Sequence, residues 1–171
     1  MTAGDVARAG ATVRAATRDD LPRLWELMHG LAEYERMTEF VSGTREQLGE
    51  LLFGGRDSLE ARVAESGGAV VGYAIVYLRY SSFRTTRRLW LEDLFVEPAA
   101  RGTGAGRALL ADVARFAVER GCDRVDWDVL DWNQPAIDFY ERLGGAAVAK
   151  EWTQFALGGD ALRALADSAK R

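Results

Sequence analysis

Leu91-Glu92-Asp93-Leu94-Phe95-Val96-Glu97-Pro98-Ala99-Ala100-Arg101-Gly102-Thr103-Gly104-Ala105-Gly106-Arg107-Ala108-Leu109-Leu110 reads as an apolar strand, a short turn and a glycine-rich loop that opens a helix. Such a loop points consecutive backbone N–H groups into one small volume at the positive end of a helix, where phosphate oxygens are held. A phosphorylated cofactor is therefore the expected ligand. No Gly-Lys followed by Ser or Thr is present, so the loop is not a Walker A motif and NTP hydrolysis is not expected. A dinucleotide fingerprint fails too, because Arg107 stands where G-x-G-x-x-G needs its third glycine.

A second block begins downstream at Val125-Asp126-Trp127-Asp128-Val129-Leu130-Asp131-Trp132-Asn133 and continues through Gln134-Pro135-Ala136-Ile137-Asp138-Phe139-Tyr140-Glu141-Arg142-Leu143-Gly144-Gly145. It reads as a strand, an asparagine-bearing turn, a short helix and a glycine stop. Together, R-x-x-G-x-G on Arg101, Gly104 and Gly106 and N-x-P-A-I-x-F-Y-x-x-L-G from Asn133 resemble the two cofactor-binding blocks of the GCN5-related N-acetyltransferase (GNAT) family. Leu91-Glu92-Asp93, Trp132-Asn133-x-Pro135 and Leu31-Ala32-Glu33-Tyr34-Glu35 resemble its diamine branch, which includes spermidine/spermine and thialysine acetyltransferases. The resemblance runs from about Val13 to Leu165.

Composition sets the frame for this reading. A chain of 171 residues fits one domain, with a core from about 13 to 165, and is long enough to fold without disulfides or a metal. A net charge of −4 argues against nucleic acid, whose affinity comes from clustered Lys and Arg, and suits a cationic substrate. Cys122 is alone, so no intrachain disulfide or zinc cluster is expected and a cytoplasmic setting fits. Met1 to Ala11, with Asp5 and Arg8, lacks the apolar core of a signal peptide, and no apolar run approaches the ~20 residues of a membrane span.

Along the chain, Val13–Ala16 is expected as an opening strand, and Thr17 with Asp20 as a helix start. Leu21, Leu24, Trp25, Leu27, Met28 and Leu31 recur at helical spacing to about Tyr34, and a second helix is expected over Thr44–Leu52. Leu59–Glu65, Ala69–Tyr80 and Leu89–Val96 read as a meander whose first turn is Gly67-Gly68. The helix after the glycine loop stops at Gly121 and leads to a parallel strand over Arg124–Leu130. Ala146–Lys150 and Trp152–Leu157 suggest a last hairpin, and Asp160–Ala169 a helix or tail. The fold class is α/β with a mixed, mostly antiparallel sheet flanked by helices, and the resemblance implies that its two central strands splay at the cofactor.

Acetyl transfer from a thioester to an amine needs a neutral amine, a polarised carbonyl and a proton for the leaving thiolate. The resemblance implies acetyl-coenzyme A as co-substrate, no metal, and direct attack in a ternary complex by a primary amine of a diamine, polyamine or lysine-like molecule. It gives Tyr140 the role of general acid and Glu92 that of base. Cofactor contacts fall to Leu94, Phe95, Val96, Arg101, Gly102, Thr103, Gly104, Ala105, Gly106, Arg107, Asn133, Pro135, Ala136 and Tyr140. Substrate contacts fall to Tyr34 and Glu35, in a loop able to cover the pocket, and to Glu92, Asp93 and Asp128. It also implies a homodimer. Glu92 and Asp93 are strand neighbours, so both face one pocket only if the strand is distorted, and a bulge over Leu94–Val96 would free an N–H for the carbonyl oxygen.

His29 is expected to be structural, and Trp25, Trp90, Trp127 and Trp152 to lie in the core or a dimer interface. Arg79, Arg84, Arg87 and Arg88 lie between the second and third meander strands with no acid among them. They are expected to disfavour long polyamines and to favour a short diamine, or an amine whose carboxylate meets Arg84. Acetylation of a protein or peptide, or of an aminoglycoside, stays open as an alternative, as does a sensor that binds acetyl-coenzyme A without turnover.

Overall fold

The computed structural model describes residues 11–55, 59–148 and 155–168. They fall into two compact units, one up to Asp128 and one from Val129 on.

In the first unit the strands are β1 (Thr12–Ala15), β2 (Glu60–Ser66), β3 (Ala69–Ser81), β4 (Thr86–Val96) and β5 (Cys122–Asp126). Its helices are α1 (Leu21–Glu35), α2 (Arg45–Phe53) and α3 (Ala105–Glu119). The sheet order is β1-β2-β3-β4-β5, antiparallel except for the parallel β4–β5 pair. Local chemistry explains the boundaries. Asp20 accepts hydrogen bonds from the Thr17 backbone N–H (2.7 Å) and hydroxyl (3.0 Å), which sets the entrance to α1. Thr44 and Gln47 close a reciprocal capping box on α2. Gly67 and Gly68, at φ of 60° and 81°, make the two-residue turn that side chains with a Cβ resist.

Each face of the sheet has its own core. On one, Val76, Leu89 and Leu91 pack with Leu109 and Val113 of α3. On the other, Tyr73, Ile75 and Phe95 pack with Leu24 and Leu27 of α1 and Leu48 and Leu52 of α2. At Gly30 of α1 an added Cβ would stand 3.2 Å from the Phe95 ring, so glycine is what lets the helix settle on β4.

Several expected boundaries move. β3 runs on to Ser81 and β4 starts at Thr86, so only Arg84 of the four arginines lies in the connecting turn. β5 ends at Asp126 instead of Leu130, because its ladder with β4 stops at the Trp90–Asp126 pair while β4 continues along β3 to Val96. The second unit contains α4 (Gln134–Arg142) and α5 (Gly159–Ser168). Residues 146–148 and 155–157 of the expected last hairpin are not strand, and 149–154, with Trp152, lie outside the described residues.

Candidate active site

The decisive local feature is a bulge in β4. Asp93 pairs with Ile75 and Leu91 with Val76, so Glu92 is one residue more than β3 can match. Before it, Leu89 and Leu91 pack toward α3; after it, Leu94 and Val96 take that side and Phe95 joins the α1 core. The extra residue therefore leaves Glu92 and Asp93 together on the α1 side of the sheet. The Trp90 indole N–H donates to Glu92 Oε2 at 2.8 Å, and the buried Tyr73 hydroxyl donates to Asp93 Oδ2 at 3.1 Å. The distortion that two carboxylates on one face require is thus present, but at Glu92 and not over Leu94–Val96.

This face is strongly acidic. Burial pushes the Asp93 carboxyl up to about 6; the Tyr73 hydrogen bond pulls the other way, and the charges of Glu92 and Glu35 add to the rise. Burial also raises Glu35. Tyr73 is held well above the usual phenol range, by burial first and then by Asp93. Tyr77 is raised by burial and then by Glu92, with a smaller contribution from Asp128. Among the described residues, Glu35, Glu92 and Asp93 form no ion pair with a cation. A site of this kind attracts an ammonium ion and offers it a base that titrates near neutrality.

The glycine loop follows β4 through the short turn Pro98–Ala100. Gly102 and Gly104 have φ of 77° and 94°, and a Cβ at either would meet nothing within 4 Å. Side chains are absent where a ligand could approach the backbone. The Thr103 hydroxyl donates to the Ala100 carbonyl at 2.7 Å, and the Ala108 N–H bonds the Gly104 carbonyl at 2.9 Å. The N–H groups of Ala105, Gly106 and Arg107 form the first helical turn, which has no carbonyl of its own helix to bond. Arg101 donates from Nε to the Val96 carbonyl at 3.0 Å and lies 4.6 Å over the Tyr34 ring. It ties the loop, the end of β4 and α1 together. From Leu91 to Val96, β4 pairs with β3 on one edge and has no β5 ladder on the other, so alternate backbone groups face away from β3. The end of that ladder, and not a bulge, leaves those N–H groups of Leu94–Val96 that face away from β3 without a strand partner among the described residues.

In the second unit, Asn133 caps α4, its side-chain oxygen accepting from the Ala136 N–H at 3.4 Å, with Pro135 in the first turn. Tyr140 is half-buried in α4, edge-on to Phe139 at 5.3 Å between ring centroids.

Tyr34 and Glu35 are placed in the last turn of α1, not in a loop, and the chain leaves the helix through a left-handed Arg36 at φ 59°. His29 stacks edge-on against Trp25 at 4.7 Å. Trp90 belongs to neither core; it is half-buried and committed to Glu92. The sequence names Arg79 only among the four arginines and gives the substrate carboxylate to Arg84; Tyr73 and Tyr77 are not singled out. Their alternation along β3, opposite the acidic stretch of β4, is the signal that could have found them.

The fold is a mixed five-stranded sheet with helices on both faces, a glycine loop opening α3 and an acidic cluster on the α1 side of β4. The chain belongs to the acetyltransferase (GNAT) family, whose profile matches residues 22–145. It is similar to thialysine N-epsilon-acetyltransferase of Sus scrofa, 34% identical over 168 residues, covering 92% of this chain and 98% of that one. It is also similar to L-ornithine N5-acetyltransferase of Arabidopsis thaliana, 30% identical with 92% and 89% covered. Among solved structures, an aminoglycoside acetyltransferase from a soil metagenomic sample in complex with sisomicin has the same fold, with a TM-score of 0.71 at 20% identity and 85% and 95% of the chains covered. The chain is therefore an acetyltransferase. Among the described residues no helix is long and apolar enough to cross a membrane, and no group of His, Cys, Asp or Glu is assembled to hold a metal ion.

Proposed function

We propose that this enzyme transfers acetyl from acetyl-coenzyme A to the terminal primary amine of a small diamine, polyamine or lysine-like molecule, in a ternary complex without a covalent enzyme intermediate. The observation that carries this reading is the bulge that turns Glu92 and Asp93 to one face beside Glu35. The relatives named for thialysine and ornithine support it.

Bound acetyl-coenzyme A supplies the thioester. The open loop at Gly102, Thr103 and Gly104 with the first turn at Ala105, Gly106 and Arg107 fits its phosphates, and the uncovered edge of Leu94, Phe95 and Val96 fits an extended amide-bearing arm. The resemblance adds Asn133, Pro135 and Ala136 to the cofactor contacts. Asp93 accepts the proton that the substrate ammonium must lose, directly or through water, because burial has already raised it to about 6. Glu92, Glu35 and Tyr34 hold the cation, and Asp128 extends the acidic lining. This exchanges the roles expected for Glu92 and Asp93. A backbone N–H of Leu94–Val96 stabilises the carbonyl oxygen as the amine nitrogen bonds to carbon. The resemblance gives the Tyr140 hydroxyl the role of protonating the sulfur as the carbon–sulfur bond breaks, and the second proton that the amine nitrogen sheds returns to the tyrosinate through solvent. The reading includes a homodimer, as the resemblance implies, and a cytoplasmic setting, which the lone Cys122 fits.

Thiol release from acetyl-coenzyme A, measured across thialysine, ornithine, diamines, spermine, an aminoglycoside and a peptide, tests it. Turnover of the small amines is expected. Turnover of only the peptide or the aminoglycoside, or of nothing, overturns it. Gly104→Asp, which sets a side chain and a negative charge in the loop, should abolish the rise in Tm that acetyl-coenzyme A produces.

A further inference from the structure

Beyond the acids, the same face of the sheet carries a cation that the chemistry above leaves unused. Tyr73, Tyr77 and Arg79 alternate along β3, and Tyr77 pairs with Trp90 on β4. The Arg79 guanidinium lies 4.3 Å over the Trp90 ring, whose N–H is bonded to Glu92. One indole thus has a carboxylate at its N–H and a guanidinium on its face.

Two neighbouring cations face carboxylates of β5. Arg88 lies 3.9 Å from Asp123 and 3.7 Å from Asp126, and Arg124 is 2.7 Å from Asp126. Arg79 is exposed and forms no ion pair with a carboxylate among the described residues. A guanidinium stacked by its plane keeps its N–H edges available, and those edges match a carboxylate in bidentate fashion. Arg84, to which a substrate carboxylate was first assigned, sits in the turn beyond β3 with its backbone N–H toward the Ser81 hydroxyl.

We propose that Arg79 binds the α-carboxylate of an amino-acid substrate whose side-chain amine is held at Glu92 and Asp93. The enzyme's preferred acceptor is then an ω-amino acid of lysine or ornithine length, not a diamine or polyamine. This deepens, and rests on, the small-amine reading above. A polyamine would bring an ammonium against Arg79 and lose binding to like-charge repulsion.

The test compares kcat/KM for ornithine with putrescine, and for lysine with cadaverine, pairs that differ only in the carboxylate. Wild type should prefer the amino acid in each pair. Arg79→Leu should lower its kcat/KM about tenfold or more, mainly through KM, with the diamine unchanged or improved, and Arg79→Lys should restore part of the loss. Arg84→Ala should leave the ratio unmoved. Equal effects on both members of a pair, no effect, or a ratio that follows Arg84 overturns the assignment of Arg79 alone. Absence of turnover with all four amines removes the small-amine reading along with it. An unchanged rise in Tm with acetyl-coenzyme A establishes that each variant is folded.

Discussion

Asp20, at the entrance to α1, and Asp93, just past the bulge of β4, are both withdrawn from water by the fold, with opposite results. Asp20 takes two hydrogen bonds from the Arg14 guanidinium, at 2.7 and 2.8 Å, and two more from Thr17. The Arg14 hydrogen bonds outweigh burial and hold its carboxyl down to about 2. Asp93 has one neutral hydroxyl donor, two acidic neighbours and no cation, and rises to about 6. The donor set, more than burial itself, decides whether an aspartate fastens the fold or remains reactive. Asp20 fixes the first turn of α1, while Asp93 holds a proton affinity useful at neutral pH.

The largest effect expected from breaking this contrast is on turnover. Asp93→Asn removes the base but keeps the acceptor for Tyr73, and kcat/KM for the amine should fall by about 10²-fold or more. The wild-type rise of kcat/KM through about pH 6 should vanish with it, as pH-rate profiles would record. A variant that keeps that rise assigns the proton to another group.

On the other side of the comparison, Asp20→Asn should cost about 1–2 kcal/mol of stability at pH 7, discounted because Arg14 is partly exposed. The sign follows from a pKa lowered in the folded state. Stability is fully present above about pH 4, and is lost as pH falls through about 2. Urea melts of both proteins should therefore converge at low pH. A constant difference down to pH 2 would mean that the side chain acts by shape alone.

The same physics marks where the sequence was legible. The glycine loop, the Thr17–Asp20 helix start, the helix that begins after Thr44 and the Gly67-Gly68 turn are local, and each appears where its residues predict it. Strand ends are not local: β5 stops at Asp126 because β4 pairs elsewhere, a choice made by residues far away in the chain. The acids of the site were readable from Glu92-Asp93. Their shared face was not, since a bulge is a mismatch between two strands, and it shows only once Ile75 and Val76 are set opposite Asp93 and Leu91. Tyr73 and Tyr77 were hidden for the same reason, as was the place of Arg79 over Trp90.

A smaller effect follows for Asp93 on stability, and its sign is opposite to that of Asp20. A carboxyl raised in the folded state favours folding while it is protonated, so its contribution falls as pH rises from about 4 to about 6. Asp93→Asn should thus be more stable than wild type at pH 7, by on the order of 1 kcal/mol, and the gain should shrink below pH 5. Thermal melts at pH 5 and 7 would check it; a variant less stable than wild type at pH 7 contradicts the unpaired burial of Asp93.

The smallest and most selective change is Tyr73→Phe. The Tyr73 hydroxyl lies 3.1 Å from Asp93 Oδ2 and, as a donor, favours the ionised carboxylate. Its removal leaves the ring in the α1 core and takes away the one hydrogen bond that opposes burial at Asp93. The acid limb of kcat/KM should therefore move to higher pH, while the plateau at high pH stays near the wild-type value because the base itself is still present. Glu92 and Glu35 face Asp93 and push in the same direction, so Glu35→Gln should move the limb back toward lower pH. A purely structural tyrosine would lower activity at every pH without displacing the limb, and that outcome would detach Tyr73 from the chemistry. Opposite displacements in the two variants would show that Asp93 is the group being titrated, since both side chains act on its charge and neither supplies the proton.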